Sequence, residues 1–395
     1  MKRVADRVIR PSSPPIFQAM LFQTTHRNGS MALFFEIPCL RLWARLLHSM
    51  DTLLKVAVVG ASGYSGEELV RILVGHPHTQ LVALTSRQLA GERMGNVFPR
   101  FEGLRYSDLV FINSEVDAIV AAGTEVAFLA LPHGLAHEFA GPLLRAGLRV
   151  IDLSADFRIK DVAVYEDFYG APLHEPALAQ TSVYGLVEVY REALKEAKLV
   201  ACAGCYPTSI LLPLIPLLKH NLLEPDSIHV SSMSGVSGAG RTAKVDYLYA
   251  ECNENIRAYG VPKHRHLAEI EQELSLAAGE SVCISFTPHL APVTRGIHST
   301  IYAKPRAGVA PERIGAVLRE AYARGGFVRL LEGNALPETR HVTNTNFIDI
   351  AWRHDPRTGR VLLLSVEDNL VKGAAGQAVQ CLNVMCGWAE SSGLM

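Results

Sequence analysis

The chain has 395 residues, room for two domains, and 49% of them are hydrophobic, which calls for a buried globular core and argues against disorder. A formal net charge of -1 gives no electrostatic case for nucleic acid or an acidic membrane surface as partner. Seven cysteines, at 39, 202, 205, 252, 283, 381 and 386, are odd in number and scattered, which excludes a disulfide framework and suits a reducing, cytoplasmic setting. No apolar run reaches the ~18 to 20 residues of a spanning helix; ILLPLIPLL at 210–218 is too short and carries prolines.

Residues 1–49 stand apart: a basic, turn-rich stretch, then ALFFEIPCLRLWARLLHS at helical spacing. Arginines outnumber acids there, which allows a targeting segment. Met50, however, opens MDTLLKVAVVG, a natural domain start, so residues 1–49 are expected to be an extension without function. From Leu53 the pattern is strand (LLKVAVVG), glycine turn (GASGYSG) and helix (EELVRILVGH), with Glu67 and Glu68 near the positive helix end. Strands follow at QLVALTS, 125–131 and 148–154, with the helical AHEFAGPLLRAG between the last two. Such alternation predicts a parallel sheet covered on both faces.

The middle of the chain changes character. After a helix beginning near Cys205 come stretches of period two, SVCISFTP at 281–288 and GIHSTIYA at 296–303, then a hairpin over 346–366 turning at Asp355-Pro-Arg-Thr-Gly. Alternation with a polar face predicts an antiparallel sheet with one solvated or interface side. KGAAGQAVQCLNVMCGW closes the chain as a helix with Ala375, Val379, Leu382 and Met385 on one stripe.

Gly60, Ser62, Gly63, Tyr64, Ser65 and Gly66 form a G-x-x-G-x-x-G turn between a strand and a helix, where backbone can approach a pyrophosphate at the helix N-terminus. Glycine spacing alone also fits a plain turn. The second strand runs into Thr85-Ser86-Arg87 without the carboxylate that would hold an NAD ribose, so Ser86 and Arg87 favour NADP; the alternative for Arg87 is a solvated loop residue.

In ACAGCYPTS, Pro207 suits the first turn of a helix, so Cys205 sits at a helix N-terminus that favours a thiolate. A zinc site would need a second cysteine pair that the sequence lacks, so no metal is expected, and Cys202 reads as a buried strand end. In KHRHLAE, His266 and Glu269 are three apart, so the carboxylate is expected to orient the imidazole and raise its pKa, with His264 the second choice of acid–base. A solvated turn is the plainer reading of HRH. Two glycine-rich polar clusters, holding Gly235, Ser237 and Gly238 in one and Asn369 in the other, suit backbone contacts to a cofactor or ordinary turns.

GASGYSG, GCYPT, HRHLAEI, HLAPVTRGI and DNLVKGAAGQAVQ, read in this order, closely resemble the N-acetyl-gamma-glutamyl-phosphate reductase family over about residues 53–388. LPHG, LSADFR and VYGLVE belong to the same resemblance. The chain departs from the family pattern at Cys202-Ala203, Val187 and Ala268, which flank the nucleophile and base without replacing them. The resemblance implies an α/β fold, with a Rossmann-type doubly wound parallel sheet over 50–204 plus 366–395. An inserted α+β catalytic and oligomerisation domain with a mixed or antiparallel sheet would occupy 205–365.

It also implies NADPH-dependent reduction of N-acetyl-glutamyl phosphate through a thioester on Cys205, with His266 as acid–base. Arg295 is the leading substrate anchor, with Arg158 and Arg241 behind it. A homo-oligomer, dimer or tetramer, is implied as well. Aspartate-semialdehyde dehydrogenase, a carrier-linked aminoadipyl-phosphate reductase and a non-catalytic NADP sensor are the alternatives.

Overall fold

In the computed structural model of the chain, residues 53–395 are described, and the expectation for residues 1–49 lies outside them. Seven strands build the first sheet: β1 (Leu54–Val59), β2 (Thr79–Thr85), β3 (Phe111–Ile112), β4 (Val126–Leu129), β5 (Arg149–Asp152), β6 (Val183–Gly185) and β7 (Leu199–Cys202). They are all parallel, in the order β3-β2-β1-β4-β5-β7-β6. Successive side chains of β1 enter different cores, Val56 and Val58 one and Ala57 and Val59 the other, so both faces are covered. That is why these strands read as unbroken apolar runs.

The chain winds outward from β1 to β3, then returns to place β4 on the other side of β1. The glycine turn that leaves β1 therefore lies at the point where strand order reverses, where open α/β sheets bind ligands. Helix α1 (Tyr64–Val74) starts three residues earlier than the first glutamate of EELVRILVGH, directly after Gly63. Helix α2 (His137–Arg145) covers the same sheet, and α3 (Val187–Lys195) precedes β7.

The second sheet takes β8 (His229–Ser234), β9 (Arg257–Ala258), β10 (Ser285–Leu290), β11 (Ile297–Ala303), β12 (Val328–Leu330), β13 (Ile348–Asp355) and β14 (Arg360–Glu367), in the order β12-β13-β14-β11-β8-β10-β9. It is mixed rather than purely antiparallel: β8 pairs β10, and β12 pairs β13, in parallel. The stretch 281–288 also becomes strand only from Ser285 onward. The β13–β14 hairpin turns where expected, with Gly359 N–H donating to the Asp355 carbonyl at 2.8 Å.

One face of this sheet packs on α4 (Cys205–Lys219), α5 (His266–Ala278) and α6 (Pro311–Ala321), burying Leu211, Ile270, Val317, Ile301 and Leu363 in one core. On the other face the outward residues of β8 and β11, among them Met233 (42% exposed) and Tyr302 (39% exposed), reach solvent. A wide turn of π type, Val371–Ala375, leads into α7 (Gly376–Met385), whose Val379 and Leu382 join the core of the first sheet.

Candidate active site

Cys205 is the first residue of α4, and Gly204 is the cap residue before it. Gly204 has no room for a side chain: a Cβ there would lie 2.9 Å from both Arg158 Nη1 and His266 Nε2 and 3.1 Å from Glu269 Oε2. The nucleophile candidate, the imidazole and an arginine thus meet around one glycine. Cys202 ends β7, fully buried, as expected of a strand-end residue.

Glu269 does not orient His266. Its Oε1 accepts the Gly204 N–H at 2.8 Å and the Tyr184 hydroxyl at 2.6 Å, and its Oε2 accepts from Arg158 Nη1 at 3.2 Å. His266 Nδ1 is buried without a partner, and the imidazole pKa lies well below the usual value. Burial causes most of that depression, and His264 and Arg158 add to it. The expected raised pKa is therefore corrected: His266 is a neutral base at neutral pH. His264 accepts the His266 backbone N–H on Nδ1 at 3.1 Å and is itself pushed down to about 4 by burial and then Arg265. That bond ties His264 to the helix start, while His266 Nε2 lies against Gly204, the residue before Cys205.

The thiol departs from expectation too. Despite the helix N-terminus, burial and then the Glu367 carboxyl push Cys205 up to about 12, against the opposing pull of the Tyr206 N–H and Arg158. The helix end is not enough to ionise this thiol alone, so a base must act as it reacts.

The arginines divide. Arg158 is buried, donating to Glu269 and, through Nη2 at 2.7 Å, to the Leu153 carbonyl, with its Nε unpartnered. Arg295, expected to lead in substrate binding, has its guanidinium committed to Glu68 at 2.8 Å and to Asp368 at 3.5 Å. Arg241 reaches the Ser62 carbonyl at 2.9 Å and lies 5.6 Å over the Tyr64 ring, so it sits on the glycine turn and not beside Cys205. Two of the three expected substrate anchors are thus placed with α1 and its turn.

At that turn Gly60 takes φ +83°, and a Cβ on it would lie 2.5 Å from the Ala130 carbonyl oxygen. Gly66 passes the turn so closely that a Cβ would lie 2.4 Å from the Gly60 oxygen. Gly63 caps α1 without any side-chain hydrogen bond, so the first-turn N–H groups of Tyr64 and Ser65 face no capping side chain. Tight backbone and an uncapped helix end fit a pyrophosphate. Ser62 Oγ and Ser86 Oγ are 3.2 Å apart, while Arg87 is exposed and paired with Glu138 at 3.0 Å. Asn369 ties the two remaining clusters together: Nδ2 donates to Ser237 Oγ at 3.0 Å and Oδ1 accepts the Gly296 N–H at 2.8 Å, with Gly235 and Gly238 in the same turn.

Two profiles of one superfamily match in sequence: Semialdehyde dehydrogenase, NAD binding domain, over residues 55–197, and Semialdehyde dehydrogenase, dimerisation domain, over residues 205–369. A protein of Akkermansia muciniphila named N-acetyl-gamma-glutamyl-phosphate reductase is 59% identical over 86% of this chain and 98% of its own length. The chain belongs to the N-acetyl-gamma-glutamyl-phosphate reductase family. A second member, from Geobacter sulfurreducens, is 52% identical over 87% of this chain and 98% of its own. As a member of this family the chain is an oxidoreductase with an NAD(P)-binding domain. The crystal structure of aspartate semialdehyde dehydrogenase II from Vibrio cholerae shares the fold, with TM-score 0.64 and 18% identity over 85% of this chain and 99% of that one.

Sequence reasoning missed Tyr184, Glu367 and the true partners of Glu269. Tyr184 stood inside VYGLVE, but nothing local marks its hydroxyl as the partner of a residue 85 positions away. Glu367 carried a signal: it is a carboxyl at an inward position of a strand whose other inward residues are Val361, Leu363 and Ser365.

Proposed function

We propose that the chain reduces N-acetyl-gamma-glutamyl phosphate to the semialdehyde with release of phosphate, through a thioester on Cys205. The observation that carries this reading is the meeting of Cys205, His266 and Arg158 around Gly204. The Cys205 thiolate attacks the acyl carbon and the bond to phosphate breaks. His266, neutral and unpartnered at Nδ1, takes the thiol proton and passes it to the departing phosphate. NADPH, when bound, supplies the hydride that takes the thioester to the aldehyde level. His266 then relays one solvent proton to the Cys205 thiolate as the aldehyde leaves. Arg158 stabilises negative charge near the sulfur, and Glu269 fixes Gly204 and Arg158 in place as a positioning residue.

NADP is preferred over NAD because the strand end Thr85-Ser86-Arg87 offers hydroxyls and a guanidinium and no carboxylate. The Arg87–Glu138 pair is exposed and weak, so a 2′-phosphate can displace the carboxylate. Arg241, on the glycine turn, lines the cofactor's rim, and Arg295 holds α1 to the segment after β14. Residues 50–204 with 366–395 form the cofactor-binding part and 205–365 the catalytic and oligomerisation part.

A homo-oligomer in the cytoplasm is the working state, with the uncovered face of the second sheet, including Met233 and Tyr302, as the contact between copies. Among the described residues no helix is long and apolar enough to cross a membrane. The deciding assay is phosphate-dependent NADP reduction with N-acetyl-glutamate semialdehyde against aspartate semialdehyde. Rapid mixing with the acyl phosphate releases phosphate before NADPH is consumed; simultaneous release, or preference for the aspartyl substrate, overturns the reading.

A further inference from the structure

Cys205 has a second side, which the mechanism above does not use. Glu367 ends β14, and its register partners on the two neighbouring strands are the buried Ile297 and Ile348. Its side chain is fully buried, and neither carboxyl oxygen has a hydrogen-bond partner. Only Gly373 separates it from the nucleophile: a Cβ on Gly373 would lie 2.6 Å from Cys205 Cβ and 2.8 Å from Glu367 Oε1. Thiol and carboxyl are neighbours across one α-carbon.

A carboxylate buried without a partner is costly, and such a group stays protonated instead. The nearby cation does not change this. Lys372 Nζ donates to Glu188, Gln377 and Gln380 at 2.6, 2.8 and 2.8 Å, and none of its bonds goes to Glu367. Asp368 and Glu188 oppose a charge on Glu367, and burial raises its pKa well above the usual carboxylate value. The charged groups facing Cys205 from other elements are Arg158, which favours the thiolate, and Glu269, which opposes it. His266 lies across Gly204 and is neutral.

We propose that Glu367 is a positioning residue paired with Cys205, and that the two groups share the burden of one negative charge, so that only one of them ionises readily. While Glu367 holds its proton the thiolate can form; once Glu367 ionises, a second charge a glycine's width away is opposed. The thiol proton itself leaves through His266, and Glu367 keeps its own. The inference rests on reading Cys205 as the nucleophile.

The test is the rate of alkylation of Cys205 by iodoacetamide as a function of pH, without substrate or cofactor, with the labelled peptide identified by mass spectrometry. Glu367→Gln keeps the shape and deletes the charge. As pH rises Glu367 ionises ahead of the thiol, so the midpoint of the profile is expected to fall by about one pH unit in the variant, with about tenfold faster alkylation where Glu367 is ionised in the wild type and no difference at lower pH, where it holds its proton. A role confined to packing changes the unfolding temperature and leaves the midpoint where it was. An unchanged or raised midpoint therefore overturns the proposal. Should Glu367→Gln not fold, Glu367→Met carries the same test, since it too removes the charge and fills the space. Failure of the wild-type protein to release phosphate from the acyl phosphate sinks the reaction and leaves the pair standing, because alkylation needs no substrate.

Discussion

Two carboxyls flank Cys205, and they are treated in opposite ways. Glu269 is buried with every demand met, by Gly204, Tyr184 and Arg158. Glu367 is buried with none met. The first holds backbone, a tyrosine hydroxyl and an arginine in one geometry through three hydrogen bonds. The second makes no hydrogen bond where it stands, so its burial is a cost that points to chemistry and not to packing. Burial alone does not tell a scaffold from a control element; the partner count does.

The largest expected effect lies between the two. Cys205→Ser lowers turnover by orders of magnitude with folding intact, whereas Cys202→Ala, a trim at a strand end, keeps most activity and costs about 1 kcal/mol or less. Steady-state rates and thermal melts of both variants check this, and equal losses would revive a metal or disulfide reading of the pair.

The flanks themselves separate next. Glu269→Ala leaves Arg158 buried and uncompensated and is expected to cost about 3–5 kcal/mol. Glu367→Leu removes an unpartnered carboxyl from an apolar row and is expected to be neutral or stabilising. The denaturant midpoint should fall for Glu269→Ala and hold or rise for Glu367→Leu, and a matching loss in both would erase the contrast.

An exposed pair sharpens it from outside. Arg87→Ala breaks only a solvated bridge, so stability is unchanged, while NADPH affinity falls roughly ten- to a hundredfold and NADH affinity does not. Titration of both cofactors measures it, and equal weakening removes the assignment to the 2′-phosphate.

The smallest effect is in pH. His264 is held down to about 4 and His133 to about 3, both chiefly by burial, so below about 6.5 the unfolded chain takes up protons that the folded chain refuses. Stability therefore declines as pH falls from about 6.5 toward 4, and His264→Asn should flatten part of that decline. Unfolding temperatures across this range show whether it does.

What was legible in the sequence was local. The glycine turn follows from a strand and a helix adjoining it, and the place of Cys205 follows from Pro207 and the apolar run behind it. What was not legible needed distant partners. The i, i+3 spacing of His266 and Glu269 suggested a bond between them, but Gly204 N–H, Tyr184 and Arg158 reach that carboxylate first. Arg295 looked free to bind substrate because Glu68 and Asp368 lie far from it in the chain, 227 and 73 residues away. Which strands of the second sheet pair in parallel was not legible for the same reason, since period two is the same for parallel and antiparallel neighbours.

The wide turn Val371–Ala375 acts as a mechanical register. A five-residue loop of backbone lets Lys372 meet Gln377, five positions on, which an ordinary helix would turn aside by about 140°. The same turn presses Gly373 against the sulfur-bearing residue while α7 stays seated on the first sheet. Winding the same five residues at ordinary pitch would carry Lys372 off the face that Gln377 occupies. Composition and hydropathy would stay the same, yet the ammonium would face the wrong wall. In this stretch the spacing of the residues is as much a part of the machinery as their chemistry.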